Sequence, residues 1–190
     1  MAVVNLDTIP VRLQEIENAA VAALHEALEA LRELGGDTAD RAPDVFALAT
    51  LLTGGAVRAI PNLRHKEERV AGLLDWSRPN PDIYCEAYEP LVRRRFSVGH
   101  ELGHFRLHPR PNGANQSCTF VDDEALPSQG MTQEQEADAF AGAFLLPAEA
   151  LAADLDRFGR CVAFLAERYV VSPATMRRRL RTLEILMRRS

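Results

Sequence analysis

Cysteine is scarce. Cys85, Cys118 and Cys161 are three in 190 residues, odd in number and far apart, with no C-x-x-C pair among them. That excludes a disulfide framework and a cysteine-rich zinc site, and the three read as small apolar residues in a reducing compartment. Long apolar runs are missing too: nothing approaches the ~18 consecutive residues needed to span a bilayer. Residues 1–17 lack a basic flank followed by an apolar block, so they do not read as a signal peptide. Nor is there a large excess of one charge. The 27 acidic and 22 basic residues leave a net charge of -5, which argues against a general nucleic-acid or membrane-surface binder. No repeat or low-complexity tract is present. These absences together predict a cytoplasmic protein with no membrane partner.

What is there is enough for a core. Hydrophobic residues make up 47% of the chain, and the length suits one domain with a small appendage. Apolar residues at Leu13, Ile16, Ala20, Leu24, Ala27, Leu28 and Leu31 have helical spacing, and Gly35-Gly36 is a stop signal. Residues 1–42 therefore read as an N-terminal helical extension, 43–158 as the main domain and 159–190 as a C-terminal helical segment. Within the main domain, residues 43–52 form a short helix. Residues 56–60, 70–76 and 83–85 read as short strands, predicting a small antiparallel sheet. Helices follow at 91–108 and, after a long polar loop at 109–131, from an N-cap at Thr132 to Leu146. A short helix at 147–157 leads to the end of the domain. Residues 161–169 and 173–187 then pair as a helix-turn-helix-like unit, with Ser172 as cap. The fold class is α+β. The C-terminal segment carries Arg177, Arg178, Arg179, Arg181, Arg188 and Arg189, read as a solvated basic face or as a patch for DNA or an acidic partner.

The chemistry lies at residues 100–138. His100-Glu101-Leu102-Gly103-His104 is an H-E-x-x-H pattern. On a helix, positions i and i+4 share a face, so both imidazoles reach one tetrahedral ion at ~2.0–2.1 Å per bond. Glu101, next to the first histidine, is placed to take a proton from a water held by that ion. A catalytic zinc needs a third protein ligand. The chain after His104 lacks the Gly and His of the H-E-x-x-H-x-x-G-x-x-H arrangement. His108 lies ~12 Å along the axis from His100 at ~1.5 Å per residue, too far to share its ion. It reads as a polar residue near a helix end, or as one facing substrate. The better third ligand is Glu134, with Asp138 one turn on and able to orient a ligand histidine. Glu136 points elsewhere and reads as a solvated acid. Beside these, an alanine-rich core helix with an acidic first turn is the bland alternative for the segment. Tyr84, Tyr88, Arg93, Arg94, Arg95 and His108 are candidates for polarising a substrate carbonyl.

Residues 95–108, Arg-Phe-Ser-Val-Gly-His-Glu-Leu-Gly-His-Phe-Arg-Leu-His, resemble the core motif of the ImmA/IrrE family of zinc metallopeptidases. Glu134-x-x-x-Asp138-x-Phe140-Ala141-x-x-Phe144-Leu145-Leu146-Pro147 resembles that family's second motif. The resemblance implies a gluzincin-like Zn2+ peptidase with His100, His104 and Glu134 as metal ligands and Glu101 as catalytic glutamate. Asp138 stands where many members have Asn. It further implies a protein substrate, a helix-turn-helix transcriptional repressor whose cleavage derepresses stress or mobile-element genes; the net acidic charge of the chain argues separately against direct sequence-specific DNA binding. His108 and Tyr84 are the expected substrate contacts. The rival reading is a regulatory DNA- or repressor-binding module whose zinc site is structural or silent. The intact Glu101 favours the enzyme, because a structural site has no use for it. The helix at 10–34 has no counterpart in the resemblance.

Overall fold

A computed structural model describes residues 8–38, 42–108, 116–118 and 131–187 of the chain. Helix α1 (Thr8–Glu33) buries Leu13, Ile16, Ala20, Ala23, Leu24 and Ala27, a stripe three and four residues apart, and Gly35 follows it in the left-handed region. Helix α2 (Val45–Thr53) starts where the Asp44 carboxylate accepts the Phe46 and Ala47 N–H groups at 3.0 and 3.4 Å, and ends at Gly54, also left-handed. Five strands come next: β1 (Val57–Ile60), β2 (Arg64–His65), β3 (Glu68–Arg69), β4 (Gly72–Asp75) and β5 (Asp82–Glu86). Then follow α3 (Leu91–Leu107), β6 (Gln116–Cys118), α4 (Gln133–Leu145), α5 (Ala148–Phe158), α6 (Val162–Arg168) and α7 (Pro173–Met187). Apart from β6 and Met131, the expected loop at 109–131 lies outside the described residues, as do Arg188 and Arg189.

The fold is α+β, as expected, and the sheet is mixed rather than purely antiparallel. Its order is β1-β5-β4-β6. β4 pairs antiparallel with β5 and β6, but β1 runs parallel to β5 from Val57 opposite Ile83 to Ile60 opposite Glu86. The segment between β1 and β4 leaves room for β5 to enter between them. Asp82 pins the start of both strands by accepting the Ala56 N–H at 2.7 Å. That segment holds the separate β2–β3 hairpin, which the sequence reading did not anticipate.

Alternation sorts β5 onto two faces. Ile83 and Cys85, with Leu74 of β4, join the main core, where burial pushes the Cys85 thiol up to about 11. Tyr84 packs instead on a small cluster of Leu63, Val70 and Leu73. The main core is continuous from α1 to α7. It takes Val98 and Leu102 from α3, Phe140 and Phe144 from α4, Leu151 from α5, Leu165 from α6, and Met176, Leu180 and Leu183 from α7.

Helices α3 and α4 approach closely because small residues face each other. A Cβ on Gly99 would sit 3.3 Å from the Ala141 Cβ, and one on Gly103 would sit 2.9 Å from the Ala137 Cα. Helix α7 follows a turn in which Ser172 Oγ accepts the Thr175 N–H at 3.0 Å. Its arginines are not simply a solvated face, contrary to expectation. Arg179 is buried, donates to both Glu17 carboxylate oxygens on α1 at 2.6 Å, and donates through Nε to the Leu146 carbonyl at 2.9 Å. α4 ends before Pro147, so Arg179 caps a helix end and bridges three helices at once.

Candidate metal centre

The site is built by α3 and α4. A reciprocal capping box starts α4: the Gln135 N–H donates to Thr132 Oγ1 at 3.2 Å, and the Thr132 N–H to Gln135 Oε1 at 3.0 Å. It fixes Glu134, Glu136 and Asp138 against the histidine-bearing face of α3. His100 and His104 are almost wholly buried, and Glu101 is fully buried. Glu134 keeps 55% of its side chain exposed, so the cluster opens to solvent on that side.

Three donor atoms converge. His100 Nε2 and His104 Nε2 are 3.0 Å apart, and each faces a Glu134 oxygen, at 3.2 and 3.3 Å respectively. Those separations are close to the ~3.3 Å edge expected of a tetrahedron with bonds of ~2.0–2.1 Å. His100, His104 and Glu134 are thus a group that could hold a metal ion. The structure brings together the residues that the H-E-x-x-H spacing and the second motif point to.

Electrostatics suit a cation. Burial works against a charged His100, yet bonds to Asp138 and Glu134, with the nearby Glu101 charge, raise its pKa to about 10. Burial likewise opposes ionisation of Glu134, but the two histidines hold its carboxyl well below the usual range. The acceptors that hold a proton at His100 would hold a metal in its place, and proton and metal compete for the same lone pair.

Each histidine is oriented through its second ring nitrogen. His100 Nδ1 lies 2.7 Å from Asp138 Oδ1, and the other Asp138 oxygen accepts from Arg178 of α7 at 2.6 Å. Burial opposes the Asp138 charge, but His100 and Arg178 keep its carboxyl below its ordinary value. His104 Nδ1 lies 2.9 Å from His108 Nδ1, and His108 Nε2 lies 3.0 Å from Glu136 Oε2. Burial lowers the His108 pKa, with Glu136 opposing. Arg12 of α1 then grips both Glu136 oxygens at 2.7 Å, through Nε and a terminal nitrogen, and holds that carboxyl low.

Glu136 is therefore not a solvated acid. Its side chain is 13% exposed because α1 packs over the first turn of α4 and covers it. His108 turns inward to His104 and Glu136. Tyr84 is not brought to the histidines: it lies with the small cluster on the sheet's other face, and its hydroxyl donates to Asp82 at 3.2 Å. The residues sequence reasoning missed are Glu136, Arg12 and Arg178. The i+4 spacing of His108 from His104 was a usable signal for the first, while nothing local marks the two arginines.

A family model described as the IrrE N-terminal-like domain, a peptidase family, matches residues 63–181. The chain belongs to this family. No curated protein matches it. A solved structure described as a Mycobacterium tuberculosis transcriptional regulator is similar, with a TM-score of 0.55 and 17% identity over 89% of this chain and 51% of that one. At that identity the likeness is one of fold, and this chain spans about half the length of that protein. The family match takes in α3, α4 and Arg178; it begins after α1 and α2, so Arg12 lies outside it. Among the described residues no helix is long and apolar enough to cross a membrane.

Proposed function

We propose that this IrrE-like chain is a zinc-dependent endopeptidase, and that its substrate is a protein, a helix-turn-helix transcriptional repressor. The observation that carries the first part is the convergence of the His100, His104 and Glu134 donor atoms beside a fully buried Glu101. The substrate class rests on the resemblance of the two motifs to the ImmA/IrrE peptidases.

His100, His104 and Glu134 would hold the zinc, which when bound supplies Lewis acidity for a water and for the scissile carbonyl. Glu101 acts as general base. Its carboxylate takes a proton from the attacking water and delivers it to the leaving amine nitrogen, so the amide C–N bond breaks with no net change in the enzyme. Burial of Glu101 excludes bulk water from that transfer and favours the protonated state it must pass through. The open side at Glu134 is where an extended peptide gains access. Asp138 and His108 hold the histidine rings with Nε2 turned inward.

The deciding experiment is Glu101→Gln. The variant should fold and keep one zinc per chain, and lose at least ~100-fold in cleavage, because an amide cannot take the proton. Zinc content is measured by elemental analysis and cleavage on a purified helix-turn-helix repressor from the same genome. Full cleavage by Glu101→Gln would sink the mechanism. A wild-type protein that binds zinc and the repressor but never cuts it would favour a regulatory module with a silent site.

A further inference from the structure

His104 and His108 face each other through Nδ1 atoms 2.9 Å apart, so one nitrogen donates and the other accepts. The role of His104 as a metal ligand decides which. His104 Nε2 points at His100 Nε2 and a Glu134 oxygen, and a ligand nitrogen there must carry a lone pair. The His104 proton then sits on Nδ1 and donates to His108. His108, having accepted at Nδ1, carries its own proton on Nε2 and donates it to Glu136 at 3.0 Å. Glu136 can accept because it is an ionised carboxylate, and two 2.7 Å bonds from Arg12 keep it in place. The donations run from His104 through His108 to Glu136, where they meet those of Arg12, and so connect an arginine on α1 to the lone pair of a histidine on α3.

We infer that Arg12 is a positioning residue of the metal centre: through Glu136 and His108 it fixes the tautomer of His104, so α1, outside the family match, completes the site. This rests on His104 facing the metal. The chain of bonds spans residues 12, 136, 108 and 104, and its first and second members are 124 positions apart in sequence. Arg12 has a second partner, Glu15, at 3.0 Å, whose side chain is 59% exposed and which bonds Nη1, a nitrogen that the contacts to Glu136 do not use. That pair provides a control.

The test uses the full chain and the variants Arg12→Met, Arg12→Lys and Glu15→Gln, each checked for folding by thermal melting in chelator. Imidazole 15N shifts are recorded first on the metal-free proteins. Wild type and Glu15→Gln should show His104 with its proton on Nδ1 and His108 with its proton on Nε2. Arg12→Met should show both rings as tautomer mixtures, with Arg12→Lys between. Zinc affinity, by competition with a chelating dye, should fall about tenfold in Arg12→Met and stay within twofold in Glu15→Gln. If Arg12→Met does not fold, Arg12→Lys carries the comparison. Unchanged His104 and His108 shifts in the Arg12 variants, or a wild-type His104 protonated on Nε2, would overturn the relay even if zinc binds. A wild type that shows the tautomers and their loss in Arg12→Met, yet binds no zinc, would sink the metal reading and leave the relay standing.

Discussion

His100 and His104 sit one helical turn apart on the same helix, yet they are held in different ways. His100 leans directly on a carboxylate, Asp138, backed by Arg178 from α7. His104 leans on a neutral imidazole, His108, which leans on Glu136, which is backed by Arg12 from α1. The short arm ends in the C-terminal helix and the long arm in the N-terminal one. Helix direction explains the difference. α4 places Glu134, Glu136 and Asp138 in little more than one turn, and the 12 Å between His100 and His108 implied by ~1.5 Å per residue on α3 exceeds that span. One end of the histidine row meets a carboxylate directly, and the other needs a third imidazole to reach one. Both arms terminate in an arginine drawn from outside the α3–α4 pair, so the site depends on the two terminal helices staying where they are.

The strongest way to break the comparison is to remove what ties those helices together. Arg179 and Glu17 are both buried and joined by two bonds at 2.6 Å. Arg179→Met would leave Glu17 buried without its partner and should cost about 3–5 kcal/mol, read by urea denaturation. It also removes the cap on the Leu146 carbonyl. Replacing both residues with methionine should recover much of the loss. Both arms should weaken together, lowering zinc affinity more than a change in either arm alone. An Arg179→Met protein as stable as wild type would show that α1 and α7 are held by apolar packing alone.

Next in size is the spacing between α3 and α4, from which both arms start. Alanine at Gly103 places its Cβ 2.9 Å from the Ala137 Cα and 3.0 Å from the Ala137 oxygen, backbone atoms that cannot swing aside. Overpacking of that kind costs roughly 1–3 kcal/mol, against a helix-propensity gain of about 1 kcal/mol for Gly to Ala. Gly103→Ala should therefore lose up to about 2 kcal/mol and push Glu134 away from the histidines. At Gly99 the nearest atom is the Ala141 Cβ at 3.3 Å, so overpacking and propensity nearly cancel and Gly99→Ala should be close to neutral. Equal effects at the two glycines would refute the close-approach argument.

The short arm was legible in the sequence as far as Asp138, and the long arm was not. H-E-x-x-H fixes two histidines on one face by helical period alone, and Glu134 with Asp138 at i and i+4 repeats that logic on the facing helix. α4 was readable from its capping box, and α1 from its apolar period, although nothing in that period says that Arg12 reaches a carboxylate 124 residues away. The arginines at 178 and 179 were visible as charge, and charge on a C-terminal helix reads by default as surface. The burial of Arg179 and the reach of Arg178 to Asp138 follow from α7 packing against α1 and α4, which is tertiary information. The β2–β3 hairpin escaped for a local reason. Its turn residues Lys66 and Glu67 both have positive φ, 46° and 70°, where Asn-Gly is the recognisable signal. The parallel β1–β5 pair escaped because pattern gives strands, not their order.

The finest test removes the same charge from each arm and leaves the shape. Asp138→Asn and Glu136→Gln each keep a carbonyl oxygen that can accept from an imidazole N–H, and each leaves an arginine without its anion. That second cost is similar in the two variants, since Arg178 and Arg12 are 24% and 36% exposed and can be hydrated. What differs is distance from the lone pair. Asp138 is bonded to the ring whose other nitrogen faces the cluster, so its charge raises the basicity of His100 directly. Glu136 acts on His104 only through the polarised ring of His108. Zinc affinity should therefore fall about thirtyfold in Asp138→Asn and only about tenfold in Glu136→Gln, measured by competition with a chelating dye at neutral pH. Folding stability in chelator should change little in either. A larger loss in Glu136→Gln would mean that the anchoring of His104 by α1 outweighs the direct charge on His100, and the order of importance of the two arms would be reversed.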